Sequence, residues 1–178
     1  MVYPEKPLGP IAKLELKCCR NRERLASPMS LRVLVVEDFE PFRRFVRVTL
    51  RNGEHFHIIC EVSDGLEAVQ KAEELKPDLI LLDIGLPTLN GIEAARRIRK
   101  STPDSKIIFL SQESSAEVVQ EAFDLGALGY VAKARAGSEL LAAVEAVLHG
   151  RAFVGTGVSG PSFERGRGRA SSLPAVPQ

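Results

Sequence analysis

An α/β domain, with a doubly wound five-stranded parallel sheet and helices on both faces, is the fold that this sequence predicts. From Leu31 onward, short apolar runs of strand length alternate five times with longer segments of helical periodicity. Parallel strands need a long crossover between them, usually a helix, which is what this alternation supplies. Several of the runs are apolar throughout rather than at every second residue, as strands buried on both faces should be. A chain of 178 residues is long enough for one well-buried core plus tails, and within the usual range of a single domain.

The first strand is expected at Arg32 to Val36. The helix after it should span roughly residues 40 to 51: Pro41 suits an early helical position, Phe42, Phe45, Val46 and Thr49 share one face, and Gly53 can close the end. A second strand at His57 to Val62 leads to Asp64, which with Glu67 three residues on reads as a capping pair for the amides of a second helix. The third strand, Leu79 to Leu82, leads to the same arrangement at Asn90 and Glu93. That helix ends in Arg96, Arg97, Arg99 and Lys100, cations that suit a helix C-terminus, and Pro103 forbids its continuation. The basic cluster reads as a solvated helix end rather than a binding patch. Lys106 to Leu110 forms the fourth strand and is followed by a third capping pair, Ser114 with Glu117. The fifth strand, Gly129 to Ala132, precedes a helix that starts near Ser138, aligns Leu141, Val144 and Leu148 on one side, and stops at Gly150.

Residues 30–154 are expected to form the domain, with a disordered extension over residues 1–29 and a disordered Gly, Pro, Ser and Arg-rich tail over residues 155–178. Met29-Ser30-Leu31 leads directly into the first strand, which marks Met29 as the expected start of the functional protein. The formal net charge of +1 hides an asymmetry: residues 30–154 carry 15 basic and 19 acidic residues, a net of −4, and the basic excess lies in the tails. The domain shows no nucleic-acid footprint, and Arg165-Gly166-Arg167-Gly168-Arg169 reads as a solubilising tail. Cys18, Cys19 and Cys60 form neither a disulfide framework nor a metal-ligand spacing. No aliphatic run approaches the ~20 apolar residues of a membrane span, and Lys13, Glu15 and Lys17 interrupt the apolar stretch near the start. The expectation is a cytoplasmic protein with no membrane partner.

In an open parallel sheet, ligands bind at the carboxyl ends of the strands, near the point where strand order reverses. The polar residues after each apolar run are Glu37 and Asp38 after the first, Asp83 after the third, Ser111 after the fourth and Lys133 after the fifth. Three carboxylates at one rim repel unless a cation neutralises them. A hard divalent ion with oxygen ligands, Mg2+ in particular, answers that need together with the lysine. Taken singly, each residue has a plainer explanation as a helix cap or a solvated charge; in combination, at the ends of successive strands, they point to a site.

Val33-Leu34-Val35-Val36-Glu37-Asp38, Leu81-Leu82-Asp83-Ile84-Gly85-Leu86-Pro87 with Asn90-Gly91 beyond, and Gly129-Tyr130-Val131-Ala132-Lys133 resemble, in this order, the motifs of bacterial response-regulator receiver domains over about residues 31–154. The Gly-Tyr-Val-Ala-Lys-Ala stretch and Gly150-Arg151 are similar to receivers of the LuxR-type subfamily, which usually precede a helix-turn-helix domain. The resemblance implies the flavodoxin-like strand order 2-1-3-4-5, which periodicity leaves open. It implies that Asp83 accepts a phosphoryl group from a histidine kinase or phosphotransfer protein, and that Glu37, Asp38, Asp83 and the Gly85 carbonyl bind Mg2+. It further implies that Lys133 pairs with the phosphoryl group and that Ser111 and Tyr130 form a switch, the tyrosine moving inward. Output would pass to a downstream protein through the face of the fourth helix, fifth strand and fifth helix, with a homodimer as a further partner. The chemistry needs an in-line nucleophile and cations over the equatorial oxygens, roles that fit Asp83, Mg2+ and Lys133.

Two positions depart from the common pattern: Gln112 stands where Ala or Gly is usual after the switch hydroxyl, and Ala134 follows Lys133 where many receivers have proline. An aspartate-nucleophile phosphatase would be expected to carry an acid/base Asp two residues after Asp83, and Gly85 occupies that position. A phosphoacceptor rather than an enzyme is therefore expected. The remaining alternatives are a LuxR-type transcriptional regulator without its DNA-binding domain and a pseudo-receiver that binds partners unphosphorylated, against which the intact acidic set speaks.

Overall fold

A computed structural model describes residues 30–158 except 52 and 54. Met29, the Cys18-Cys19 pair and the Arg165 to Arg169 stretch lie outside the described residues. The chain runs β1 (Leu31–Val36), α1 (Glu40–Arg51), β2 (Phe56–Val62), α2 (Gly65–Leu75), β3 (Leu79–Asp83), α3 (Gly91–Ser101), β4 (Lys106–Ser111), α4 (Ala116–Asp124), β5 (Gly129–Ala132), α5 (Ala136–Leu148) and β6 (Phe153–Val154). The strands form one parallel sheet in the order β2-β1-β3-β4-β5-β6. The first five thus stand in the flavodoxin-like order, and a sixth strand extends the β5 edge.

Alternation along each strand divides the core between the two faces of the sheet. Leu34, Val36, Ile80, Leu82, Ile107, Phe109 and Tyr130 pack with α2, α3 and α4, through residues such as Ala72, Ile98 and Val119. Val33, Val35, Leu79, Leu81, Ile108, Leu110 and Val131 pack on the other face with α1 and α5, through Val46, Leu50, Leu140 and Val144. Cys60 is buried in the core on the α4 side of the sheet. No helix among the described residues is long and apolar enough to cross a membrane.

Local chemistry sets the helix starts. Asp64 Oδ1 accepts from the amides of Leu66 at 2.8 Å and Glu67 at 3.1 Å, and Asn90 Oδ1 accepts from Glu93 at 2.9 Å. The pairing expected of Ser114 with Glu117 does not form: Ser115 is the residue before α4 and makes no side-chain cap bond. The loop is organised from the other side, because the Glu113 amide donates to Ser111 Oγ and its carbonyl accepts from Tyr130. Helix α5 begins two residues before Ser138, after a single 3-10 turn over Lys133–Arg135.

The basic end of α3 is tied into the fold more than its composition suggests. Arg96 and Arg97 pair with Glu93, and Arg96 also with Glu121 on α4. Arg99 donates to the carbonyls of Pro103, Ser105 and Gly126, fastening α3 to the turn before β5. Residues 155–158, which composition places in the tail, continue from β6: the Gly155 amide donates to the Tyr130 carbonyl at 2.8 Å, and Val158 packs on the α4-side core.

Candidate functional site

Strands β1 and β3 lie side by side, with Val36 beside Leu82. Their carboxyl ends therefore deliver Glu37, Asp38 and Asp83 to the point where strand order reverses, the position at which such sheets bind ligands. One oxygen from each carboxylate lies within 4.8 Å of the others. Glu37 has no exposed surface and Asp83 only 4%, whereas Asp38 is exposed. The acidic turn is held by its backbone: the Glu37 amide donates to the Val62 carbonyl at 3.0 Å, and Arg43 Nη1 reaches the Glu37 carbonyl at 2.5 Å and that of Asp38 at 3.4 Å.

Lys133 crosses to this acidic group from the end of β5. Its Nζ stands 2.8 Å from Glu37 and 2.9 Å from Asp83 Oδ2, over the Phe42 ring at 5.0 Å from the centroid. The hydrogen bond to Glu37 goes to Oε1, which also accepts from the Phe39 amide at 3.2 Å. Oε2 is equally close to the ammonium but lacks hydrogen-bond geometry, and remains a buried acceptor with no donor. Burial lifts the Glu37 carboxyl above the ordinary glutamate value and the Asp83 charge adds to this, against the opposing pull of Lys133. Burial draws the Lys133 ammonium down, but its hydrogen bonds and attraction to Glu37 and Asp83 outweigh it and hold the group above the ordinary lysine value.

Asp83 Oδ1 accepts from the Gly85 amide at 3.2 Å. A cation that prefers oxygen ligands fits this arrangement, because Glu37 Oε2 lacks a donor and one lysine does not balance three carboxylates. Glu37, Asp38 and Asp83, with the Gly85 carbonyl, are the groups that would hold it.

Ser111 is buried at the end of β4, one residue beyond the partner of Asp83 in the sheet, Leu110. Its Oγ accepts from the Glu113 amide at 3.0 Å. Tyr130 is fully buried, lies 6.3 Å ring to ring from Phe109, and donates its hydroxyl to the Glu113 carbonyl at 2.9 Å. Its ring therefore points inward, and burial pushes its hydroxyl above the ordinary tyrosine value, with a smaller opposing effect from Ser111. Gln112, between Ser111 and Glu113, is exposed.

Every site residue singled out in the sequence thus lies at this end of the sheet, as two groups: Glu37, Asp38, Asp83, Gly85 and Lys133 around the acidic turn, and Ser111 with Tyr130 around the Glu113 backbone. Residues that reading the motifs passed over are Arg43 and Phe42, which brace the turn and the lysine. Their only signal was position on the first helix, where an apolar or basic residue is ordinary.

The profile of the response regulator receiver domain matches residues 33–145. This chain belongs to the response regulator receiver family. A transcriptional activator protein ExaE from Pseudomonas putida is 34% identical over 122 residues, covering 68% of this chain and 57% of that protein. A protein-glutamate methylesterase/protein-glutamine glutaminase from Colwellia psychrerythraea is 43% identical over 106 residues, which make up 59% of this chain and 28% of that enzyme. The crystal structure of a LuxR family two-component response regulator from Aurantimonas superposes with a TM-score of 0.67 at 31% identity, covering 70% of this receiver and 89% of that chain. Among the curated relatives that this receiver matches, it spans 60%, 52% and 57% of the length of three regulators. Phosphorylation and Mg2+ binding at an acidic pocket are general features of the family.

Proposed function

We propose that this receiver takes part in a two-component phosphorelay, accepting a phosphoryl group on Asp83 from the phosphohistidine of a kinase or phosphotransfer protein. The observation that carries this reading is the Lys133 ammonium, held 2.8 Å from Glu37 and 2.9 Å from Asp83 among three converging carboxylates. In the transfer, an Asp83 oxygen attacks phosphorus in line, the P–N bond to the histidine breaks, and the released imidazole keeps the electron pair and takes up a proton. Bound Mg2+ would neutralise charge on the equatorial oxygens. Lys133, whose bond to Asp83 competes with the incoming group, turns its donors to a phosphoryl oxygen. The protein's part is mainly to position and to neutralise.

The acyl phosphate carries a charge of about −1.5 to −2 in place of the single charge of the carboxylate, and three strong acceptors. The Ser111 hydroxyl, so far an acceptor for the Glu113 amide, then has an oxygen to which it can donate. Movement of Ser111 is passed to Glu113, and from its carbonyl to the Tyr130 hydroxyl, so the face of α4, β5 and α5 receives the signal. Incubation with Mg2+ and a small phosphodonor should add one phosphoryl group to the intact mass, and Asp83→Asn should abolish the gain while keeping the fold. Full labelling of Asp83→Asn would remove the assignment.

A second reading, favoured by the likeness to a LuxR family structure, is that this receiver belongs to a LuxR-type transcriptional regulator. Reading the adjoining coding sequence for a helix-turn-helix distinguishes the two.

A further inference from the structure

Residues 153–158 run across the edge of the sheet beside the switch tyrosine. Phe153 and Val154 pair in parallel with Gly129 and Tyr130, and the Gly155 amide donates to the Tyr130 carbonyl at 2.8 Å. Phe153 packs on the α5-side core, whereas Val158 packs on the α4-side core that contains Val119, Ala122 and Tyr130. The segment therefore passes from one face of the sheet to the other over the β5 edge. A two-residue ladder is well below ordinary strand length and would be a weak anchor alone. Glu139 on α5 supplements it: Oε1 accepts from the Thr156 amide at 3.1 Å and also from the Thr156 hydroxyl. Gly155 threads the gap, where a Cβ would stand 2.5 Å from Glu139 Oε2 and 3.3 Å from the Tyr130 carbonyl oxygen.

We propose that residues 153–158 form a strap, latched by Glu139, that occupies the face of α4, β5 and α5 and is energetically coupled to the inward position of Tyr130. The coupling is physical: Tyr130 gives its carbonyl to the strap and its hydroxyl to the Glu113 carbonyl, and it belongs to the buried cluster against which Val158 packs. Whatever releases the ring weakens the seat of the strap, and whatever lifts the strap weakens the hold on the ring, by the same factor. A partner protein gains this face by displacing the strap, and an extended segment of that partner can take over the bond to the Tyr130 carbonyl. This coupling is independent of phosphoryl transfer and requires only the folded chain.

Amide hydrogen exchange on the full chain, resolved by residue, tests it without any phosphodonor. The Gly155 and Thr156 amides should be protected in the wild type. Gly155→Ala and Glu139→Ala should each remove that protection while Leu110 and Val131 keep theirs. If Gly155→Ala also loses core protection, Glu139→Ala, which adds no atoms, decides alone. Coupling predicts that Tyr130→Phe, which removes only the hydroxyl anchor, lowers strap protection about fivefold or more, and that lifting the strap speeds exchange at Glu113 by a matching factor. Unprotected Gly155 and Thr156 amides in the wild type would overturn the strap. Equal strap protection in wild type and Tyr130→Phe would overturn the coupling.

Discussion

Glu37 is fully buried, and one of its oxygens lacks a donor, so its proton affinity is a handle on the site. Its carboxyl is raised above an ordinary value near 4.5, so the folded state binds the extra proton more readily than the unfolded chain. The stability it contributes is fully present below about pH 4.5 and is lost as pH rises through the raised folded value. Asp64 and Glu93, lowered by hydrogen bonds first of all, act in the opposite sense and below their ordinary values. Without divalent ions, the stability of the wild type relative to Glu37→Gln should therefore fall as pH rises from 4.5 towards neutrality. A flat difference would mean that the buried carboxyl is not perturbed. Gln112 offers a kinetic counterpart. Its exposed side chain follows Ser111 directly, where bulk can screen Asp83 both from small phosphodonors and from attacking water. Gln112→Ala should raise the rates of small-donor labelling and of dephosphorylation, with less effect on transfer from a docked kinase, whose remote binding energy holds the donor in line. If neither rate rises, Gln112 points away from the site.

Elements were legible wherever composition and period agreed. Leu79 to Leu82 has a strand's length and burial on both faces written into its residues, and Asp64 and Asn90 carry cap chemistry within three positions. The Ser114 cap misled because the same signal is outweighed by a tertiary contact: Tyr130, 17 residues away, fixes the Glu113 carbonyl. Strand β6 was invisible because two residues carry no period, and its reasons for being there, Glu139 and the Tyr130 carbonyl, lie elsewhere in the chain. The turn from β3 into α3 gives an element-scale prediction. Gly91 donates its amide to the Ile84 carbonyl at 2.9 Å, and a Cβ there would stand 1.9 Å from the Asp83 carbonyl oxygen. Because backbone rather than a flexible side chain blocks it, Gly91→Ala should destabilise by at least the ~1–3 kcal/mol typical of overpacking. Gly137→Ala, near the start of α5 with nothing within 4 Å of the added Cβ, should instead stabilise, by up to ~0.5–1 kcal/mol. Thermal unfolding of the two variants checks both; equal shifts would mean that the turn relaxes freely.

At the scale of the whole molecule, alternation along the chain was sufficient for a parallel α/β sheet but not for its order. Crossovers of similar length admit several arrangements, and the placing of β1 between β2 and β3 depends on packing that no single segment encodes. The order matters because it sets β1 beside β3, so that residues 46 positions apart, Glu37 and Asp83, share one ammonium. The motif resemblance supplied what period could not, and Arg43 and the β5-edge strap fell outside both signals. The acceptor itself is best located by trapping. After incubation with Mg2+ and a small phosphodonor, borohydride reduces an aspartyl phosphate to homoserine, which peptide mass mapping assigns to one residue. Homoserine at position 83 alone is the expected result. Homoserine at position 38, or an unmodified Asp83 in a chain that has gained a phosphoryl group, would contradict the proposed role of Asp83.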